Sequence, residues 1–406
     1  MNVRTARRIG GSLLIASLIA AGCSDDGDDE PAVEETPEES TDAEGTPVEL
    51  ADDDALAAAT TYADLVFAAY DDVTVAATEL QDAIAAFVAA PTEESLAAAK
   101  QAWLDGRDLY GPTEAFRFYD GPIDTPDGGP EGQINAWPLD EAYIDYVEGD
   151  ETAGIINDTA GVPEITTDVL VAANEQGGES NISTGWHAIE FLLWGQDLSD
   201  EGPGARPLSD YTDSPTAERR AIYLQLLADL LVSDLESVRD QWAPEGGEFR
   251  ETFLADPGQA IADVLRSMGA LSAGELAGER IAVAYDTKDQ EDEHSCFSDN
   301  TVVDIVGNAV GIRMVYLADY EGIDGTSISE VVAEVAPELD ADLRQQLDAN
   351  VDAAQALEGP FDQLILGDDS APGRVALLDL IESLQAQGDT VAELASTLGY
   401  SISLEI

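Results

Sequence analysis

The sequence predicts an all-α protein made of two packed helical-bundle halves. Three observations predict this class. Apolar residues recur at three- and four-residue steps through most of the chain after residue 54, which places them on one face of a helix. The sequence shows no convincing alternation of apolar and polar residues of the kind that half-buried strands require. The 406 residues, 44% of them hydrophobic, are enough for two substantial cores.

The first 23 residues predict an export signal. Arginines precede a short apolar run over residues 13–21, which is shorter than a membrane-spanning helix. The run is followed by Gly22 and Cys23, and small residues just before a cysteine resemble a bacterial lipobox. We therefore expect an exported protein that lipid on Cys23 anchors to the cell envelope, on its periplasmic or outer surface. An ordinary secretory signal is the alternative.

Residues 24–54 predict a disordered acidic linker. They are rich in Asp and Glu, contain no Lys or Arg, and include three prolines among few large apolar residues. Such a segment cannot bury enough surface to offset the entropy lost on ordering. The folded domain is expected over residues 55–400, with approximate halves at 55–245 and 246–400.

The charge of the chain excludes one class of partner. With 84 Asp and Glu against 17 Lys and Arg, the formal net charge is −67, so a nucleic acid held by phosphate contacts would be repelled. Acids occur on every polar helix face, and Lys100 and Lys288 are the only lysines. We interpret this surface as halophilic, hydrated and soluble in high salt.

The individual helices follow from the same periodicity. Pro91 ends the first helix and Thr92 is expected to cap the second, whose first turn is acidic. Gly274 and Gly278 are expected to allow close backbone contact. The irregular segment 114–146 is expected to carry function or to cover a site. Helices are predicted over residues 55–90, 93–110, 183–194, 216–242, 260–284, 301–318, 339–357, 375–385 and 390–398.

Only two histidines are present, His187 and His294. His187 and Glu190 lie three residues apart on a predicted helix and therefore share a face. An imidazole beside a carboxylate can ligate a metal ion, but it can equally form a satisfied hydrogen-bonded pair. The pattern differs from the H-E-x-x-H motif of zinc proteases because residues 188 and 191 are Ala and Phe.

Longer motifs around these residues resemble a known family. The segment GWHAIEFLLWGQD at residues 185–197 is similar to the G-x-H-x-x-E region of the imelysin family, also described as M75-type peptidases. It is closest to the iron-regulated branch of exported lipoproteins in that family. The resemblance spans about residues 55–400. The other matching segments are TEAFRFY at 113–119, INAWPLDE at 134–141, GELAGER at 274–280 and YDTKDQEDEHSCFSDN at 285–300.

The resemblance implies a two-bundle fold, an exported or lipid-anchored location and a link to iron acquisition. It also implies that His187 and Glu190 form a metal or functional site at a cleft between the halves. Relatives commonly carry another histidine shortly after the S-D-N-T segment. This chain has Val302 and Val303 there, so a ligand of that kind is missing.

The matched segments contain further candidate ligands or cleft residues. Oxygen donors with one or two imidazoles suit iron or manganese, so iron or another divalent metal is the expected cofactor. Arg117 and Arg280 stand out because bases are scarce, and they either pair with buried carboxylates or hold an anionic ligand. The remaining candidates are Glu114, Asp140, Glu141, Glu293, His294 and Asp299.

These features predict a cell-envelope lipoprotein that binds iron, another metal or an iron-bearing ligand and assists iron uptake, with iron-transport components as partners. Two alternatives stay open. One is an M75-type metallopeptidase that uses the H-x-x-E motif, although no complete zinc-protease motif is present and no catalytic residue is assigned. The other is a scaffold that binds a peptide or a protein.

Overall fold

The computed structural model describes residues 47–48, 50–126, 128–199, 202–404 and 406. The predicted signal, residue Cys23 and most of the predicted acidic linker lie outside the described residues. These described residues form one compact unit.

The all-α prediction is confirmed. In the described residues the only β-type pairing is an isolated bridge between Val147 and Asp150. The elements of the first part of the chain are α1 (Asp52–Ala89), α2 (Glu93–Tyr110), a 3-10 helix (Gly111–Phe116), α3 (Glu131–Ile134), α4 (Glu141–Ile144), α5 (Gly154–Asn157), α6 (Thr167–Ala173), α7 (Gly185–Trp194), α8 (Ser209–Thr212) and α9 (Ala217–Gln241).

The second part of the chain continues the helical pattern. Its elements are α10 (Glu248–Ala255), α11 (Pro257–Gly269), a π-helix (Ala270–Ala282), α12 (Val283–Thr287), a short 3-10 helix (Gln290–Asp292), α13 (Thr301–Leu317), α14 (Ile328–Val335), α15 (Pro337–Gln355), α16 (Phe361–Ile365) and α17 (Pro372–Thr397).

Helix α1 is the centre of the first group of helices, where it packs against α2 and α9. Its apolar stripe, which includes Leu65, Leu80 and Phe87, is fully buried. The predicted cap at Thr92 is confirmed: its side chain accepts the backbone N–H of Ser95 at 3.1 Å, and the Ser95 hydroxyl accepts the Thr92 N–H at 3.0 Å. This reciprocal pair satisfies two of the free donors at the start of α2.

The second group of helices refines one expectation and corrects another. The stretch 260–284 is helical as predicted, and it changes from α-helix to π-helix at Ala270. The two helices predicted over 375–385 and 390–398 are one continuous helix, α17. Gly388 lies inside α17. Only glycine allows the π-helix to pack so closely at this position, because a Cβ on residue 388 would lie 2.7 Å from the Cβ of Ala273. The helices α10 and α14 were not predicted.

The expected close contact is confirmed at Gly274, where a Cβ would lie 3.0 Å from the Leu404 carbonyl oxygen. At Gly278 the nearest atom is the Ala273 oxygen of the same helix, at 3.5 Å, so the expectation for Gly278 was wrong. The two groups of helices meet where α13 packs on α2 and on the 3-10 helix, and where α1 packs on α11. The division of the chain at residues 245 and 246 stays a prediction.

Within the part of the chain that the structure describes, no helix has both the length and the apolar character needed to cross a bilayer.

Candidate functional site

His187 and Glu190 lie one turn apart on α7, near the junction of the two helical groups. Helix α7 can begin at Gly185 because this residue has φ +87° and a Cβ there would lie 2.5 Å from the Ile134 oxygen. The His187 Nδ1 lies 3.1 Å from Glu190 Oε2. The other oxygen, Oε1, accepts the backbone N–H of Ser298 at 2.9 Å and its hydroxyl at 2.6 Å. Both oxygens of Glu190 are therefore engaged.

His294 is held in the same way by a second carboxylate. Its Nδ1 lies 2.8 Å from Asp304 Oδ2 on α13, and Asp304 also accepts the Ser295 hydroxyl and, at 3.0 Å, the Arg107 guanidinium. Burial alone would raise the pKa of Asp304, but Arg107 and the hydrogen bonds hold that pKa far below its usual range. An ionised Asp304 only accepts, so Nδ1 of His294 donates and Nε2 carries a lone pair.

The two imidazoles face each other in the protein interior. Their ring centroids are 4.7 Å apart and the ring planes meet at 74°. Burial lowers the pKa of His187 well below its ordinary value, and neighbouring His294 lowers it further. Burial and the Arg280 guanidinium lower the pKa of His294 to about 4. Both rings are thus neutral at pH 7, and each has a buried Nε2 without a hydrogen-bond partner.

The pKa of Glu190 shifts in the opposite direction from that of Asp304. Burial raises the pKa of Glu190 to about 8, although the hydrogen bonds from Ser298 lower it. When Glu190 is ionised, above a pH of about 8, it accepts a hydrogen bond from the Nδ1–H of His187 and leaves Nε2 with its lone pair. When Glu190 is protonated, it donates to Nδ1 instead, and metal binding at Nε2 then requires that Glu190 lose its proton. Carboxylates that hold the distal nitrogen in this way are the usual orienting partners of metal-binding histidines.

A buried ion network continues from Asp304 toward the first group of helices. Arg107 donates to the Asn135 side-chain oxygen at 2.6 Å, and the Asn135 amide donates to Glu114 at 3.3 Å. Glu114 also accepts Arg117 at 2.6 Å and Arg280 at 2.5 Å. Burial would raise the pKa of Glu114, but these two guanidinium groups hold that pKa well below its usual value. Arg117 and Arg280 therefore pair with a buried carboxylate, the first of the two roles expected for them.

Trp137 lies on the other side of His294. Its ring centroid is 5.7 Å from the imidazole centroid at 67°, and its indole N–H donates to the Glu293 carbonyl oxygen at 2.9 Å. Trp137 is half-buried, whereas the two histidines are fully buried.

The other predicted residues lie around this centre without a hydrogen bond to either imidazole. Asp140 is exposed and caps α4 by accepting the Ala142 N–H at 3.0 Å. Glu141 accepts the Gln196 amide at 2.5 Å. Burial raises the pKa of Glu293 to about 9, and Asp299 is half-buried with its pKa raised by burial to about 6.

The described residues contain no complete set of metal ligands. No group of three or more His, Cys, Asp or Glu is arranged to hold a metal ion within the described ranges. Val302 is half-buried and Val303 is exposed on α13, while Asp304, the next residue, points to His294. Cys296 is buried near the centre, and burial raises the pKa of its thiol.

Sequence reasoning missed three residues that shape the site: Arg107, Ser298 and Asp304. The scarcity of bases, which drew attention to Arg117 and Arg280, applies equally to Arg107 and could have identified it. Ser298 lies inside the matched segment 285–300 but was not singled out there, and no local pattern identifies Asp304, because its partners lie on other segments of the chain.

Comparisons with known proteins agree with the fold. The family model described as Imelysin, Peptidase_M75, matches residues 66–391. A protein of Synechococcus elongatus named iron-regulated protein A is 26% identical over 338 residues, which are 80% of this chain and 82% of that protein. A crystal structure of a Parabacteroides distasonis protein, named an iron-regulated protein A precursor, superposes with a TM-score of 0.67. It is 20% identical and the alignment covers 86% of this chain and 96% of that one.

Proposed function

The chain belongs to the imelysin family, and from that premise we propose that it is an exported, lipid-anchored protein of the cell envelope that binds iron or another transition metal and assists iron uptake. The metal is the cargo of the protein, taken either as an ion or within an iron-bearing ligand.

One observation carries this proposal. His187 and His294 each have Nδ1 held by a carboxylate and a buried Nε2 without a partner. Leaving a buried polar atom unpaired is costly, so such atoms usually mark a missing ligand or water. Neutral imidazoles oriented by carboxylates are good ligands for iron, copper, nickel and zinc. We assign the ligand role to the two imidazoles, and an orienting role to Glu190 and Asp304.

Iron is the first metal to test because the names of both relatives refer to iron regulation. Two imidazoles would occupy two coordination positions of an iron ion. Water, or the donors of a chelating ligand that arrives with the iron, would occupy the others. Because the protein would fill only two coordination positions, the iron could arrive already bound to a chelating ligand that fills the others.

Calorimetric titration of tag-free protein with Fe²⁺, Cu²⁺ and Zn²⁺ tests the assignment. A histidine tag must be absent, because the chain has only two histidines of its own. We expect His187→Ala and His294→Ala each to weaken binding by about tenfold or more, and the double variant to lose it. Asp140→Asn is the control, since Asp140 is an exposed helix cap, and it should bind like the parent. Undiminished binding in the double variant would remove the proposed site.

A metallopeptidase is the second candidate, favoured by the family description. A peptidase needs a metal-bound water and a carboxylate free to take its proton. His187 and Ser298 occupy both oxygens of Glu190. This arrangement suits a carboxylate that orients His187 better than one that takes a proton from a metal-bound water. Cleavage of a peptide library that is stopped by a chelator, and lost in Glu190→Gln, would replace the binding proposal.

A further inference from the structure

The His187–His294 pair is closed to solvent in this structure. The two residues are 1% and 2% exposed, and neither Nε2 is accessible. If the pair binds a metal, as proposed above, some part of the surrounding protein must move before an ion can reach the nitrogens. The question is which part of the surroundings can move.

The side chains that hydrogen-bond to or stack on the two rings differ in how firmly they are held. Glu190 and Asp304 are buried on the helices α7 and α13, and each accepts several hydrogen bonds. Moving either carboxylate would disrupt those bonds and the helix that carries it. Trp137 is the partly exposed member of this set in the described part of the chain.

Trp137 is also held by fewer hydrogen bonds than Glu190 or Asp304. It lies in the irregular segment between α3 and α4, and its indole makes one hydrogen bond, to the Glu293 carbonyl oxygen at 2.9 Å. That hydrogen bond fixes the ring against the residue next to His294. Outward rotation of the indole would break this bond and the edge contact with His294, and Trp137 itself lies on neither α7 nor α13.

We propose that Trp137 is the cover of the histidine pair, and that outward rotation of its indole admits the metal to His187 and His294. This inference rests on the proposed function. A cover of this kind sets the rates of metal entry and exit, because the closed state must open before either step. It changes the equilibrium affinity little, because it does not itself hold the ion.

Stopped-flow measurement of Cu²⁺ binding to the tag-free chain tests the proposal. Bound Cu²⁺ quenches nearby tryptophans, and Trp186, next to His187, remains as a reporter when Trp137 is replaced. Trp137→Ala removes the cover, whereas Trp137→Phe keeps a ring and removes the N–H bond to Glu293. Trp194→Phe is the matched control, since Trp194 is a buried tryptophan whose ring lies against Trp103.

We expect Trp137→Ala to raise the association and dissociation rates by about tenfold each, and Trp137→Phe by about fivefold or less, the factor that one hydrogen bond represents. The dissociation constant should stay within about threefold of the parent in both variants, because both rates rise together. Trp194→Phe should leave both rates unchanged. Circular dichroism of each variant verifies the fold.

Four other results would overturn the cover. Equal association rates in the parent and both Trp137 variants would show that the metal enters elsewhere. A faster dissociation with an unchanged association rate would make Trp137 a contact of the bound metal. A parent that binds no Cu²⁺, or a His187→Ala/His294→Ala double variant that binds it normally, would remove the proposed function and the cover with it.

Discussion

His187 and His294 come from distant segments of the chain, yet their rings meet edge to face with centroids 4.7 Å apart. Each ring has its own carboxylate partner, Glu190 for the first and Asp304 for the second. Because the chain has no other histidine, any histidine-specific signal reports on this contact alone. Imidazole NMR of the metal-free protein should therefore show two rings, with the ring of His294 protonated on Nδ1 at pH 7.

Replacing Glu190 by glutamine should weaken metal binding without unfolding the protein. The amide keeps the size of the side chain but cannot ionise, so it cannot hold the proton on Nδ1 of His187 as the ionised carboxylate does. Loss of such an orienting partner lowers metal affinity by about ten- to hundredfold, measured by calorimetry. Glu141→Gln is the control, because Glu141 contacts Gln196 and neither histidine. An equal loss in both variants would contradict the orienting role.

Glu114→Gln should destabilise the protein at neutral pH by about 3–5 kcal/mol, because it removes the fully buried carboxylate that Arg117 and Arg280 share. Their other partners, Glu131 and Glu275, are partly exposed and do not replace it. The folded-state pKa of Glu114 lies below its unfolded value. Its stabilisation is therefore complete above the unfolded pKa, near 4.5, and is lost as the pH falls below it. The difference in the free energy of unfolding between the parent and Glu114→Gln, measured with urea, should be smaller at pH 3 than at pH 7. The same difference at both pH values would exclude a link between the ionisation of Glu114 and stability.

Asp234→Asn should stabilise the protein at neutral pH. Asp234 is half-buried on α9, its Oδ2 has no hydrogen-bond partner, and burial raises its pKa to about 6. A raised acid pKa favours folding below the unfolded pKa, near 4, and this advantage disappears as the pH rises through 6. Allowing for solvent screening, the gain should be about 1 kcal/mol, or about 2 °C in Tm, at pH 7. Thermal melts at pH 4 should show no gain.

Salt should stabilise the folded chain. The formal net charge of −67 makes the acidic side chains repel one another. Salt ions screen this repulsion and shorten its range from about 10 Å at 0.1 M to about 3 Å at 1 M. We expect Tm to rise by about 5 °C or more between 0.1 M and 2 M NaCl, because compaction brings the acids together. A Tm that does not change over this range would contradict the halophilic interpretation of the surface.

Cys23→Ser should release the protein from membranes, because the lipid would have no attachment point. Fractionation of cells that express each form, followed by immunoblotting, measures the share in the membrane. The parent treated in the same way is the control. A variant that stays in the membrane fraction would exclude anchoring through Cys23.

Much of the helical pattern could be predicted because it is local. The periodicity of α1, the capping pair at Thr92 and the short helix that carries His187 each depend on residues within a few positions of one another. The π-helix and the continuous α17 could not be predicted in this way. The sequence predicted a gap between residues 385 and 390, but Gly388 within that gap lies inside α17 and packs against Ala273 of the π-helix.

The sequence by itself determined the helical class and singled out His187, Glu190 and His294, because the periodicity and the scarcity of histidine can be seen along the chain. Only the tertiary structure decided that His294 contacts His187, that Asp304 holds it, and that Arg107 keeps Asp304 ionised. The physical reason is that these interactions join remote segments. Their strength depends on burial and on the distance between charges, and neither quantity can be read from the spacing of residues along the chain.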